Sequence, residues 1–169
     1  VSINAIFAVD NSGGMGYNGS LPWPHNSADL TNFQKLTKNN VVVMGRKTWD
    51  DPAMPKPLKG RTVYVASHSH APYAVTFHGD VVTKLLDLEL QHPDKQIFVI
   101  GGAQLIQASA PILDRVYLTY FKDSYKVDTR IHVADFLKGF KPVRAQVNRD
   151  FQSTMVVYET VFTRNQRGS

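Results

Sequence analysis

Apolar positions along the chain follow two rhythms. Runs rich in β-branched and aromatic residues occur at 2–9, 41–44, 62–66, 74–77, 97–100, 115–121, 143–149 and 154–163, and they predict strands. A three-to-four-residue rhythm over 27–37 puts Leu30, Phe33 and Leu36 on one face and predicts a helix. Weaker versions of it cover 82–91 and 103–110, and a short helical turn follows Gly45. The runs 41–44 and 97–100 are unbroken, and each leads through glycine into a helix. Strands buried on both faces of a parallel sheet have that pattern. A short polar loop around 150–153 joins the last two runs, which predicts an antiparallel hairpin at one edge. The expected fold is therefore one α/β domain over residues 1–169. It is a three-layer, mixed but mostly parallel sheet of about eight strands with about four helices.

Composition narrows the class. With 43% hydrophobic and 20% charged residues the chain is globular rather than disordered. No apolar run approaches the ~18 residues of a membrane span, and Val1 leads directly into a strand-like run with no signal-peptide pattern, so a cytoplasmic protein is expected. Cys is absent, which excludes disulfides, thiolate metal sites and a thiol nucleophile. The net charge of +5 is local. Lys35, Lys38, Arg46, Lys47, Lys56, Lys59 and Arg61 face only Asp50 and Asp51 within residues 35–61, while the rest of the chain balances. Such an excess fits either a polyanionic ligand or a solvated basic face.

Candidate chemistry falls at strand ends. Ile100-Gly101-Gly102-Ala103 is a strand, a glycine pair and a helix start, a weak signal that suits phosphate approach but more often marks an ordinary tight turn. Met44-Gly45-Arg46-Lys47-Thr48-Trp49 repeats the arrangement with cations added, at the carboxyl end of a buried strand, where open α/β sheets bind ligands. Ser67-His68 ends another strand, and two such ends on neighbouring strands could share one phosphate group. The glycine-rich segment from Asp10 to Trp23 is long enough to be a functional lid. Asp29 follows a possible capping Asn26 but borders the apolar face through Leu30 and Phe33. It is either a helix-end acid worth ~0.3–1 kcal/mol or a carboxylate facing a cleft. His68 and His70 lack the partners of a metal site.

In order and spacing these segments resemble the dihydrofolate reductase family over nearly the whole chain. The likeness rests on residues 5–10, Gly14 to Trp23, Asp29-Leu30 with Phe33, residues 43–49, Pro57-Leu58-Lys59-Gly60-Arg61, Ile100-Gly101-Gly102, Leu118-Thr119 and Tyr158-Glu159. The resemblance implies a sheet with all strands but one parallel. It also implies NADPH-dependent reduction of 7,8-dihydrofolate, and a monomer that binds antifolate inhibitors and neither nucleic acid nor membrane. It implies a catalytic group of Asp29, Thr119, Leu21 and Trp23, with Asp29 gripping the pterin and Thr119 supporting it. Ile6, Phe7, Leu30, Phe33, Leu58 and Ile100 would wall the substrate, and Arg61, with Lys56 nearby, would meet its glutamate carboxylate. Ala8, Gly14, Met15, Gly16, Tyr17, Asn18, Gly19, Ser20 and Leu21 would cover the nicotinamide. Gly45, Arg46, Lys47, Thr48, Ser67 and His68 would hold cofactor phosphates, and Gly101, Gly102, Ala103, Gln104, Leu105 and Ile106 the pyrophosphate. Ile106, Lys56 and His68 depart from residues common in the family. No metal is implied. Two alternatives are a pyrimidine reductase of riboflavin synthesis, which shares fold and cofactor, and a basic nucleic-acid-binding domain.

Overall fold

Alternation along buried strands builds a sheet with a core on each face. In the computed structural model, which describes residues 2–16, 27–149 and 152–164 (27–29 by backbone alone), Val41 and Val43 enter one core while Val42 and Met44 enter the other. The chain runs β1 (Ile3–Val9), β2 (Gly14–Gly16), α1 (Ser27–Thr37), β3 (Val41–Gly45), α2 (Arg46–Asp50), β4 (Thr62–Ala66) and β5 (Val75–Phe77). It continues through α3 (Val81–Gln91), β6 (Ile97–Gly101), α4 (Ala103–Ser109), a 3-10 turn at Ala110–Ile112, and β7 (Arg115–Phe121). The remaining elements are β8 (Thr129–Arg130), α5 (Val133–Phe136), β9 (Phe140–Val147) and β10 (Ser153–Thr160).

The main sheet has eight strands in the order β5-β4-β3-β6-β1-β7-β10-β9. Only β10 runs against the rest, pairing antiparallel with both β7 and β9. The mixed, mostly parallel sheet and its edge hairpin are thus as expected. The first core gathers Leu85 and Leu88 of α3, Ile106 of α4 and Phe136 of α5 against Ile3, Val99 and Leu118. The second places Trp49 of α2 and Leu36 of α1 against Met44, Phe98 and Tyr117. Each large apolar side chain buried this way contributes ~1.5–3 kcal/mol, so the helices are fixed by these contacts more than by their own propensity. At the far end Arg164 meets Glu89 at 3.0 Å and Asp114 at 3.1 Å, tying the last described residue to α3 and the start of β7.

Three elements go beyond the expectation. The segment 10–23 begins with β2, which pairs with β8 as a separate two-stranded ribbon. The short α5 is a fifth α-helix among the described residues, beside the four that were expected. At the edge, β9 starts three residues before the expected run, at Phe140, because pairing with β10 through a bulge near Val157 and Tyr158 sets its register. No described helix is long and apolar enough to cross a membrane.

Candidate functional site

Carboxyl ends of the central strands bring the glycines together. Helix α2 starts at Gly45, and α4 starts at Gly102 on the neighbouring strand end. A Cβ on Gly45 would lie 3.6 Å from Gly102 N and 3.7 Å from Gly101 O. Gly101 has φ +146, and a Cβ there would press to 3.2 Å of Thr48 Oγ1. Position 101 therefore requires glycine for both backbone and space. The Gly101–Gly102 bond is cis. Three glycines and the Thr48 hydroxyl thus make a floor without projecting side chains, which admits a diphosphate to the backbone. In α4, Ala103 and Leu105 are half-buried and Gln104 is exposed. Ile106 is wholly buried in the first core, with its N–H donating to Gly102 O at 3.1 Å.

Beside that floor β3 and β4 run parallel with Gly45 opposite Ala66, so Arg46 and Ser67 leave adjacent strand ends together. Arg46 Nη1 donates to Ser67 Oγ at 3.2 Å, Ser69 Oγ at 3.3 Å and the carbonyls of Ser69 and His70 at 3.3 and 3.1 Å. Its Nε donates to both carboxylate oxygens of Asp50 at 3.0 Å. Lys47 and His68 are exposed. The proposed sharing of one anion by two strand ends is geometrically available here.

At the other end of β4 lies the second arginine. Arg61 Nε donates to Thr37 Oγ1 at 3.1 Å, Nη1 to Lys59 O at 2.7 Å and Nη2 to Gln34 O at 2.6 Å. The guanidinium is fastened to the last turn of α1 and to its own loop. Lys56 Nζ lies 5.4 Å over the Trp49 ring and donates to Asp51 O and Met54 O.

Ile6, Leu36, Leu58 and Ile100 pack against the second core. Ala8 and Thr119 stand opposite one another, with Met155 on Thr119's other flank. Thr119 is only 3% exposed. Phe33 is half-buried and Leu30 is exposed. Phe7 departs from the expected wall: it follows Ile6 in the strand and so faces the other core, where its ring meets Phe136 edge-on at 5.6 Å. Asp29 lies in the first turn of α1, but its side chain is outside the described part, as are Tyr17, Asn18, Gly19, Ser20, Leu21 and Trp23.

Asp10 went unassigned in the sequence, yet it anchors the described start of the lid segment. Its carboxylate accepts from Ser12 N and Oγ, Gly14 N and Tyr125 N at 2.8 to 2.9 Å. Burial pushes this carboxyl up, but those bonds together outweigh it and hold it below the usual range. The Asp-Asn-Ser-Gly run is an Asx-turn signature and could have revealed this role. Gly14 is needed because a Cβ there would fall 2.5 Å from Val127 Cγ1, so Gly14, Met15 and Gly16 enter a ribbon packed on the 125–130 segment.

A family model described as dihydrofolate reductase matches residues 2–164. The type 9 dihydrofolate reductase of Escherichia coli is 34% identical over 151 residues, covering 84% of this chain and 82% of that protein. The Gallus gallus dihydrofolate reductase is 32% identical over 156 residues, covering 83% and 82% of the two chains. In structure, Enterococcus faecalis dihydrofolate reductase complexed with NADP(H) and RAB-propyl superposes with a TM-score of 0.77 at 22% identity, over 95% of this chain and 97% of that one.

Proposed function

This chain belongs to the dihydrofolate reductase family, and from that premise we propose how its residues divide the work. The reaction is the NADPH-dependent reduction of 7,8-dihydrofolate to 5,6,7,8-tetrahydrofolate. NADPH supplies the hydride that reaches pterin C6, while N5 gains a proton from water.

The protein's share is orientation, exclusion of water and the field of one carboxylate. Asp29 holds the pterin's amino group and ring nitrogen, and Thr119, buried beside Ala8, supports both through hydrogen bonds. Ile6, Leu58 and Ile100, on one face of the sheet, wall the flat ring system with Leu30 and Phe33 from α1. Phe7 backs that wall from the opposite core. Arg61 takes the glutamate carboxylate, for which it retains one N–H on each terminal nitrogen, since a guanidinium has five and three are engaged. Gly45, Thr48 and residues 101–105 receive the pyrophosphate, and Arg46, Ser67 and His68 the 2′-phosphate, with Lys47 at the rim. Gly14 to Leu21 and Ala8 cover the nicotinamide, and Trp23 helps to exclude water.

The observation carrying this reading is the side-chain-free floor of Gly45, Gly101 and Gly102 beside Arg46 at the carboxyl ends of the strands, with Arg61 at the opposite end of β4. It matches one ligand bearing phosphates and another bearing a carboxylate tail, which also explains why the charge excess is confined to residues 35–61. The test is the loss of NADPH absorbance on adding dihydrofolate. Turnover with the pyrimidine substrate of riboflavin synthesis, and none with dihydrofolate, would overturn it.

A further inference from the structure

Sequence reading placed one imidazole, His68, at the phosphate-binding turn; the fold brings a second. Strand β5 pairs with β4, placing Phe77 opposite Ala66. Ser67 N donates to Phe77 O at 2.8 Å, so the next residue, His78, emerges beside the turn that starts at Ser67. The rings of His68 and His78 lie 5.4 Å apart with their planes at 34°. Both residues are exposed, so neither ring is there to fill a core. Arg46 grips the same turn through Ser67 and Ser69. One guanidinium, two hydroxyls and two imidazoles thus gather around a single turn.

We propose that His78 is a specificity-determining residue for the phosphomonoester of the cofactor, acting with His68 as a two-imidazole clamp on the 2′-phosphate at the turn that Arg46 also grips. The inference rests on the NADPH reading above and adds to it a residue from a different strand, outside any phosphate motif. An imidazole ring N–H can donate to a phosphate oxygen, and two rings this close can meet one phosphate group together.

The surrounding charges are few. Arg46 is paired with Asp50 at 3.0 Å. Asp80, at the start of α3, is engaged by Thr83 N and Oγ1 at 2.8 Å. His70 contributes its backbone carbonyl to Arg46, and Lys47 is exposed at the start of α2. An anion arriving at this turn therefore meets an arginine that already has a carboxylate partner, and the two imidazoles are further donors beside it.

Calorimetry with 2′,5′-ADP and 5′-ADP tests the clamp without turnover. The unmodified protein should prefer 2′,5′-ADP. His78→Gln should cut the preference by ~3- to 10-fold and leave 5′-ADP binding unchanged. His78→Lys, which returns a donor, should restore the preference. A His78→Gln protein that keeps the preference, or loses affinity for the two ligands equally, overturns the clamp. An unmodified protein with no preference would instead overturn the cofactor reading on which the clamp rests.

Discussion

Arg61 immediately precedes β4 and Ser67, the partner of Arg46, immediately follows it, yet the two arginines are held in opposite ways. Arg46 has a carboxylate partner: Asp50 lies at 3.0 Å, with side chains 33% and 53% exposed. Arg61 has no carboxylate partner among the described residues; its three nitrogens bond neutral oxygens of Thr37, Lys59 and Gln34. Neutral acceptors orient a guanidinium without cancelling its charge. Arg61 is therefore a cation kept ready for an anion, whereas Arg46 must share its charge between Asp50 and whatever arrives. On the proposed assignment, the carboxylate site has its cation oriented in advance by α1, whereas the phosphate site keeps its cation in an ion pair.

The sharpest test of the substrate end is at the other terminus of α1. In Asp29→Asn the side-chain shape survives while the charge proposed to hold the pterin and favour N5 protonation is lost. Turnover should fall by ~10²-fold or more, roughly 3 kcal/mol of transition-state stabilisation. Lower pH should partly rescue the variant, because solvent acid can supply a pre-protonated substrate. Melting should shift little, as a helix-end acid contributes only ~0.3–1 kcal/mol. A pH–rate profile with a thermal melt decides it: unchanged turnover at neutral pH, or simple unfolding, returns Asp29 to a capping role.

Next in size is Arg61→Ala. If the guanidinium waits for a carboxylate, dihydrofolate should bind ~30-fold more weakly, about 2 kcal/mol for charge-assisted bonds, while a pterin lacking the glutamate tail should bind as before. Titrating both ligands checks this. Equal losses would mean that Arg61 serves only to hold α1 to the loop before β4.

How much of this difference could be read in the chain depends on the range of the interactions. Strands β3 and β6 were legible because both faces are buried and the apolar runs are unbroken. Strand β9 was displaced because it is an exposed edge, with Pro142, Lys141 and Arg144 interrupting the pattern and long-range pairing fixing its register. Neither β2 nor β8 has a local signal: the first is two glycines and a methionine, and it forms only because Thr129–Arg130 comes back to pair with it. The glycine floor was legible as isolated Gly-Gly and Met-Gly turns, but its convergence around Thr48 required the sheet order. Period-two alternation alone would have separated Phe7 from Ile6. The different restraint of the two arginines was beyond the sequence, since Gln34 O and the turn at Ser67–His70 become partners only through tertiary structure.

At the cofactor end the effects should be smaller. Arg46→Ala removes one charge-assisted contact to the 2′-phosphate and loosens the turn through Ser67 and Ser69. The Michaelis constant for NADPH should rise ~10-fold, with little change for NADH. Steady-state kinetics with both cofactors read this directly, and equal efficiency of the two in the unmodified protein would remove the phosphate assignment from this turn.

The smallest effect discriminates best between the arginines. Asp50 is exposed, and a surface ion pair of this kind is worth about 0–1 kcal/mol, so Asp50→Asn should hardly move the melting temperature. If Asp50 merely neutralises Arg46, the variant releases a full charge toward the phosphate and should bind NADPH up to ~5-fold more tightly. The gain should vanish at high salt, where interactions between exposed charges are screened. NADH affinity should not change. If Asp50 instead orients the guanidinium through its paired bonds to Nε, affinity for NADPH should fall, and the fall should persist in salt. That second outcome would place Arg46 with Arg61, as a cation whose geometry matters more than its free charge.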